Sequence, residues 1–374
     1  METTKAGNEN NQYPFYVKAT IILFGLIMFF FSLYVLSDIL VPLAFACLIA
    51  ILLNPLNNKL QRKLPRTLAI ACCLLTAILL VGGIFYFLSK QIASFSESLP
   101  ALKAKSNAII SQLQEWVQLH FGMTLDKQAA VIKQALEGGQ VYLGQTLNTI
   151  FGITSFLILI PIYVFFLLFY KPLILDFLFD VFSEKNSVRV ADILSETKVS
   201  VQRYILGLLI ETLIVSAMNS VALLALGVRS AVLIGVIGGI LNMIPYLGGI
   251  VAIILPVLMV TVTSDGYTTQ LAVVGCYMVI QLIDNNILMT KVVSSKVQIN
   301  ALISIIIVLM GGALWGISGM FLSIPFIAIL KIIFDRVDGL KPWGRLLGDT
   351  VPEAHKGIKL LSRWKVFKKR EQSL

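Results

Sequence analysis

Glu211 lies inside an apolar stretch, residues 204–226. An ionisable side chain there costs roughly 2.5–3.5 kcal/mol on insertion scales and is a functional candidate by default. It falls about two turns into the helix this stretch predicts, and Val215, Met218 and Asn219 extend the same face, so Glu211 and Asn219 turn toward a common interior. A carboxylate in that position can hold Na⁺ or exchange a proton; the competing reading is an ion pair with Arg203 or Arg229 on a tilted helix. Gln281, Asp284, Asn285 and Asn286 close a second apolar stretch, 269–283. With Gln281, Asp284 and Asn285 at i, i+3 and i+4, one helical face offers a carboxylate and two amides, a set suited to a polar solute or a cation. A capped helix end solvated at the membrane interface is the alternative.

Other chemistries find little support. The sequence contains no Walker A loop, no His-Glu-x-x-His and no Gly-x-Ser-x-Gly, so neither ATP-driven transport nor hydrolysis is expected, and the chain does not read as an enzyme. Cys47, Cys72, Cys73 and Cys276 all sit in apolar runs without Cys-x-x-Cys spacing, and His120 and His355 are isolated. No metal or cofactor is expected. Asp38, in the Ser37-Asp38 turn, reads as solvated.

The elements that must position these groups are membrane helices. The chain is 57% hydrophobic and 13% charged, with a mean hydropathy of +0.86, whereas a soluble domain is about a quarter charged. A span needs about 20 apolar residues. Candidates run over 15–36, 39–53, 67–88, 149–170, 204–226 and 269–283, the first two joined as a tight hairpin. A signal peptide is discounted because the first run is long and apolar sequence continues past Ala44-Phe45-Ala46.

Two further stretches, 231–262 and 301–333, are each interrupted at the centre. The first breaks at Asn242-Met243-Ile244-Pro245-Tyr246-Leu247-Gly248-Gly249 and runs on to Pro256. The second breaks at Gly311-Gly312-Ala313-Leu314-Trp315-Gly316-Ile317-Ser318-Gly319 and runs on to Pro325. Each reads as a helical hairpin, spanning or re-entrant, and paired Gly/Pro breaks are a sequence pointer to a transporter's binding site, because unwound backbone frees amides and carbonyls to hold solute. The fold class expected is therefore an all-α polytopic membrane protein of about eight membrane segments, two of them broken hairpins in an inverted repeat.

Basic residues set the expected orientation. Lys59, Arg62, Lys63 and Arg66 occur in 54–66 without an acidic residue, and nine Lys and Arg follow Gly339, so both regions and both termini are expected in the cytoplasm. The domain reading is then N-terminal membrane helices (1–88), an extracytoplasmic insertion of amphipathic helices broken at Gly122 and Gly138-Gly139 (89–148), a membrane helix (149–170), a cytoplasmic helical linker (171–203), a transport core of two inverted span-plus-hairpin units (204–337), and a basic tail (338–374). In that tail Lys356, Lys359, Arg363, Lys365, Lys368, Lys369 and Arg370 alternate with apolar residues, which suits an amphipathic segment on anionic lipid rather than nucleic acid.

The runs Gln202-Arg203-Tyr204-Ile205-Leu206-Gly207, Asn242 to Gly248, Gln281-Leu282-Ile283-Asp284-Asn285-Asn286, Gly311 to Gly316 and Ser323-Ile324-Pro325 together resemble the autoinducer-2 exporter (AI-2E) family of bacterial permeases. The match covers roughly 202–337 in detail and the layout of most of the chain. It departs from the family pattern where Asp284 stands for Glu, Thr290 for Pro, and Asn300-Ala301 for His-Pro. The resemblance implies a homo-oligomeric inner-membrane permease exporting a small hydrophilic molecule, with some relatives acting as Na⁺(Li⁺)/H⁺ antiporters. The expected function is thus secondary export of a small polar solute by alternating access through Glu211, Asn219, Asn242, Pro245, Tyr246, Gly248, Gly249, Gln281, Asp284, Asn285, Asn286, Gly316 and Gly319. The rivals are a cation/proton antiporter titrating at Glu211 and Asp284, and a non-transporting oligomeric scaffold.

Overall fold

The computed structural model describes residues 14–124, 127–128, 146–182, 184–244, 248–263, 267–293 and 299–349. Among them the chain is almost entirely helical, and the sole β-type pairing is an isolated bridge between Ile299 and Gly348. The helices are α1 (Phe15–Val35), α2 (Ser37–Leu60), α3 (Arg66–Phe121), α4 (Thr146–Phe169), α5 (Lys171–Val181), α6 (Glu184–Ala225), α7 (Ala231–Leu241), α8 (Gly248–Thr263), α9 (Thr268–Ile283), α10 (Ala301–Arg336) and α11 (Lys341–Leu347). From α9 the chain continues as a wider π-helical segment, Asp284–Val293. By length and composition six of the described helices can cross a bilayer, or seven when the bent pair α4–α5 is counted.

Helix α6 is the spine. At 42 residues it is about 63 Å long, twice the hydrocarbon thickness, and its membrane half packs on α2, α7, α9 and α10. Four apolar clusters tie these helices together. Val41 and Leu48 of α2 meet Val201, Tyr204, Ile205 and Leu208 of α6 and Val308, Leu322 and Ile324 of α10. Leu223, Ala231, Ile234, Val260, Val273 and Tyr277 join α6 to α7, α8 and α9. Ala46, Ala50, Ile70, Val164 and Leu168 lock α2, α3 and α4, and Val215, Ile280 and Leu288 join α6 to the end of α9.

Small residues set the closest approach. Gly235 and Gly239 of α7 lie so near Ser220 and Ser216 of α6 that a Cβ at either would overlap the serine side chain and crowd its backbone. In a bilayer, where apolar lipid competes for apolar side chains, such contact is a principal source of helix association.

Both broken stretches fold back on themselves. Helices α7 and α8 pack against each other across the break at 242–247, Gly238 lying against Ala252. The second keeps helical hydrogen bonding on both sides of its break, yet Ser323 Oγ donates to the Ile307 carbonyl at 3.0 Å. In a straight helix these residues would be about 24 Å apart, so α10 reverses direction. The reversal is at Trp315 (φ −133°, ψ 20°) and Gly316 (φ 59°, ψ −142°), and the two arms touch backbone to backbone at Gly311 and Gly319.

Two expectations change. Helix α1 has no buried residue, so it does not fold along α2 as a tight hairpin; a single residue, Leu36, joins the two. Its polar tie to the rest of the chain is the Trp315 indole, which donates to the Leu33 carbonyl at 2.9 Å. The span beginning at 67 does not stop at 88 either: α3 continues unbroken for 56 residues, about 84 Å, and ends where Gly122 adopts a left-handed conformation (φ 63°). Leucine, isoleucine and alanine give way to Ser, Gln and Lys, and the helix runs through Gly82-Gly83 and Pro100 without a break, so polarity changes along α3 while helicity does not. Gly138 and Gly139, and the basic tail beyond 349, lie outside the described residues.

Candidate functional site

Glu211, Val215 and Asn219 recur every fourth residue on α6, and all three are buried, at 3%, 4% and 1% exposure. Packing of that face against α7 and α9 sets their direction, because the opposite face carries the exposed Leu206, Leu213 and Val221. On α9 the corresponding stripe is Tyr277, Gln281 and Asp284, at i, i+4 and i+7. The third wall is the first hairpin: Gly238 and Asn242 from α7, Gly249 and Ala252 from α8.

These walls enclose a small pocket lined by Val215, Asn219, Gly238, Asn242, Gly249, Ala252, Tyr277, Ile280, Gln281 and Asp284, with a free interior of about 10 Å³. That suits one water molecule or a bare ion. Asn242 Nδ2 donates to Asp284 Oδ2 at 2.8 Å. The Glu211 carboxyl lies beside that of Asp284, close enough for their charges to interact and for a shared proton to link them. Glu211 Oε2, Asn219 Oδ1, Tyr277 OH and Asp284 Oδ1 are all buried without a hydrogen-bond partner. Unsatisfied buried polar atoms are rare in folded proteins, and four converging on one place signal a missing ligand or proton. Neither carboxyl forms an ion pair among the described residues; Arg203 and Arg229 are exposed and do not reach Glu211.

Glycines at the break bring the walls together. A Cβ on Gly248 would overlap the Leu241 carbonyl, and one on Gly249 would overlap the Gln281 side-chain amide. Just past the pocket the backbone widens into the π-helical segment, a feature frequent at functional sites. The change of winding begins at Asp284 itself, leaving Asp284 buried and Asn285 and Asn286 exposed.

Of the residues singled out by sequence, the structure gathers Asn219, Asn242, Gly249, Gln281 and Asp284 around one pocket, with Glu211 and Gly248 adjoining. Asn285 is not on the pocket wall; its Oδ1 accepts from Gln281 Nε2 at 3.3 Å. Asn286 donates to the Leu282 carbonyl at 2.8 Å. Gly316 and Gly319 belong to the second hairpin, which packs on α1, α2 and α6 and contributes no residue to the pocket. Pro245 and Tyr246 lie outside the described residues. Sequence reasoning missed Tyr277 and Gly238. The i+4 and i+7 spacing from Tyr277 to Gln281 and Asp284 is the sign the sequence carries for Tyr277.

The four cysteines are free thiols, and no group of three metal-ligating side chains occurs among the described residues. Buried acceptor oxygens in a membrane helix bundle, beside discontinuous helices, describe a place for a small polar or cationic species. A sequence profile of the AI-2E family of transporters matches residues 23–339. The chain belongs to the AI-2E transporter family. Among its relatives, the AI-2 transport protein TqsA of Escherichia coli (strain K12) is 25% identical over 336 residues, covering 89% of this chain and 96% of TqsA. YrrI of Bacillus subtilis (strain 168) is 27% identical over 314 residues, 80% of this chain and 86% of YrrI. PerM of Escherichia coli (strain K12) is 25% identical over 320 residues, 83% of this chain and 89% of PerM. This AI-2E chain is thus a multi-pass membrane protein of a transporter family.

Proposed function

We propose that the protein is a secondary transporter that moves a small polar solute across the bacterial inner membrane by alternating access, with the pocket between α6, α7, α8 and α9 as the translocation site. The observation that carries this reading is the set of four buried, unpartnered oxygens from Glu211, Asn219, Tyr277 and Asp284, held beside a break in the first hairpin. In the proposed cycle the hairpins α7–α8 and the two arms of α10 are the gates, belonging to two inverted span-plus-hairpin units of a homo-oligomer with cytoplasmic termini. The cargo class proposed is a compact hydrophilic molecule whose hydroxyls donate to the pocket's acceptor oxygens; autoinducer-2 is the first candidate, because the relative TqsA is named for AI-2 transport. The pocket as closed holds only a water-sized guest, so cargo entry requires α7–α8 to move away from α9.

The neighbouring carboxyls favour a second role for the same site. Two buried carboxylates side by side repel strongly unless a proton or a monovalent cation sits between them. A transporter that exchanges Na⁺ and H⁺ at Glu211 and Asp284 would satisfy both groups in each half of its cycle. Purified protein in liposomes separates the readings: inward-facing and outward-facing gradients of autoinducer-2 test solute flux, and a pH gradient with radioactive Na⁺ tests exchange. Flux of neither in oriented, folded protein refutes transport by this pocket.

A further inference from the structure

A second unsatisfied place lies at the α4–α5 elbow, far along α6 from the pocket. Helix α5 bends 63° from α4 and leaves Leu173, Phe177 and Val181 exposed, at 64%, 62% and 57%. These occupy i, i+4 and i+8, one apolar stripe, the pattern of a helix lying in the membrane interface. Three basic groups gather at the elbow: Lys171 at the start of α5, bonded to Asn54 of α2; Arg66 at the start of α3, bonded to the last turn of α4; and Lys198 of α6, one turn before the Gln202 that bonds to α2.

None of the three has a carboxylate partner among the described residues. Lys171 Nζ donates to Asn54 Oδ1 at 3.0 Å. Arg66 donates to the Leu168 carbonyl at 3.3 Å and lies over the Phe169 ring. The acids nearest in sequence on α6, Asp192 and Glu196, pair with Arg336 instead, and Asp176 and Asp180 of α5 are exposed and pair with none of the three.

The backbone adds to the same field. Helices α3 and α5 both begin here, with no side-chain cap and no acidic residue in the first turn; α4 ends here too, its negative end answered by Arg66 at the Leu168 carbonyl, which leaves two helix N-termini and the lysine charges without an anion. Gln202 Nε2 donates to the Ile51 carbonyl at 2.8 Å and holds α6 against α2 at this level. Asn57, one turn beyond Asn54 on the same face of α2, is 2% exposed, and its Oδ1 lacks a partner; so does Thr197 Oγ1, adjoining Lys198. Three like charges without a paired carboxylate among the described residues, beside two helix N-termini, describe an anion site.

We propose that this elbow binds the phosphate of an anionic glycerophospholipid, with Lys171, Lys198 and Arg66 as its cationic contacts. Phosphatidylglycerol, an anionic phosphodiester with no opposing charge on its headgroup, is the fitting class. The apolar stripe of α5 places the site at headgroup depth, and the basic run from Lys59 to Arg66 puts it on the cytoplasmic leaflet.

The test is native mass spectrometry of the full chain titrated in detergent with dioleoyl phosphatidylglycerol, dioleoyl phosphatidylcholine, or inorganic phosphate. Wild type should retain phosphatidylglycerol in preference to phosphatidylcholine. Lys171→Gln and Lys198→Gln should each weaken phosphatidylglycerol on the order of fivefold, with phosphatidylcholine unchanged. Lys198 is exposed, so its variant reports on the site even where Lys171→Gln disturbs packing. Unchanged phosphatidylglycerol affinity in Lys198→Gln would overturn the assignment. Inorganic phosphate displacing the lipid at equal concentration would overturn it too, by making the ligand a soluble anion.

Discussion

Asn242→Ala removes the side-chain amide donor from the Asp284 carboxyl. In the wild type Asp284 Oδ2 accepts from Asn242 at 2.8 Å, and its other oxygen, Oδ1, is already buried without a partner. A hydrogen bond to a charged group is worth about 1.5–3 kcal/mol, and one between neutral groups about 0.5–1.5 kcal/mol. Truncating Asn242 should therefore destabilise the closed arrangement of hairpin and α9 by about 1.5–3 kcal/mol, roughly a ten- to hundredfold change in an equilibrium constant. In an Asp284→Asn background the same truncation should cost about half as much, leaving a coupling of about 1 kcal/mol. Thermal unfolding of the four proteins of this cycle in one detergent gives the coupling, and reconstituted flux gives its functional counterpart. Additive effects, with Asn242→Ala equally costly whether residue 284 is Asp or Asn, would refute the idea that this pair fastens the break to α9.

The two kinds of glycine in the hairpins should answer differently. At Gly316 a Cβ meets nothing within 4 Å, but φ is +59°, so Ala and Val should both cost about 1–3 kcal/mol of stability by thermal melting. At Gly249 the obstacle is the Gln281 amide, a movable side chain, so Ala should be tolerated in expression while Val blocks flux more than it lowers the melting temperature. Just past α10, the Asp338 carboxyl is held below the usual carboxylate range by its hydrogen bond from Lys341, then by the Lys341 and Arg189 charges. A depressed folded value contributes stability above the unfolded value, near 3.9, and loses it as pH falls through the folded one. The melting temperature of Asp338→Asn should thus lie slightly below wild type at pH 7 and converge with it below about pH 4. Glu211→Gln should abolish pH-driven Na⁺ movement if the carboxyl pair exchanges ions, and retention of wild-type coupling would remove that role.

Helix content, the membrane setting and both hairpins were legible because each rests on local signals: uninterrupted apolar length, and Gly or Pro where a helix must stop. Gly316 needs its positive φ, Gly319 touches the Gly311 carbonyl, and Gly249 abuts Gln281. Each could be suspected from its place in a broken apolar run. The Glu211–Asn219 face was legible for the same reason, since a 3.6-residue period turns both inward. Legibility failed where partners are distant in sequence. Nothing local announces that Asn242 will meet Asp284, or that Tyr277 of α9 will face Gly238 of α7. The π-helical winding at Asp284 moved Asn285 off the wall that ideal helical spacing assigned to it. Helix α1 misled because its apolar residues face outward on all sides, and hydrophobicity alone does not distinguish lipid from protein as the neighbour.

The most direct measurement is flux through Asp284→Asn in proteoliposomes, using autoinducer-2 and radioactive Na⁺ as probes, with insertion and melting temperature checked on the same sample. Asp284 lines the pocket, anchors Asn242 and adjoins Glu211. If the pocket is the route, the variant should insert and melt like wild type yet lose at least one of the two fluxes by roughly tenfold or more, as removal of one charged contact permits. Wild-type rates for both probes in that variant would place the route elsewhere and contradict the account.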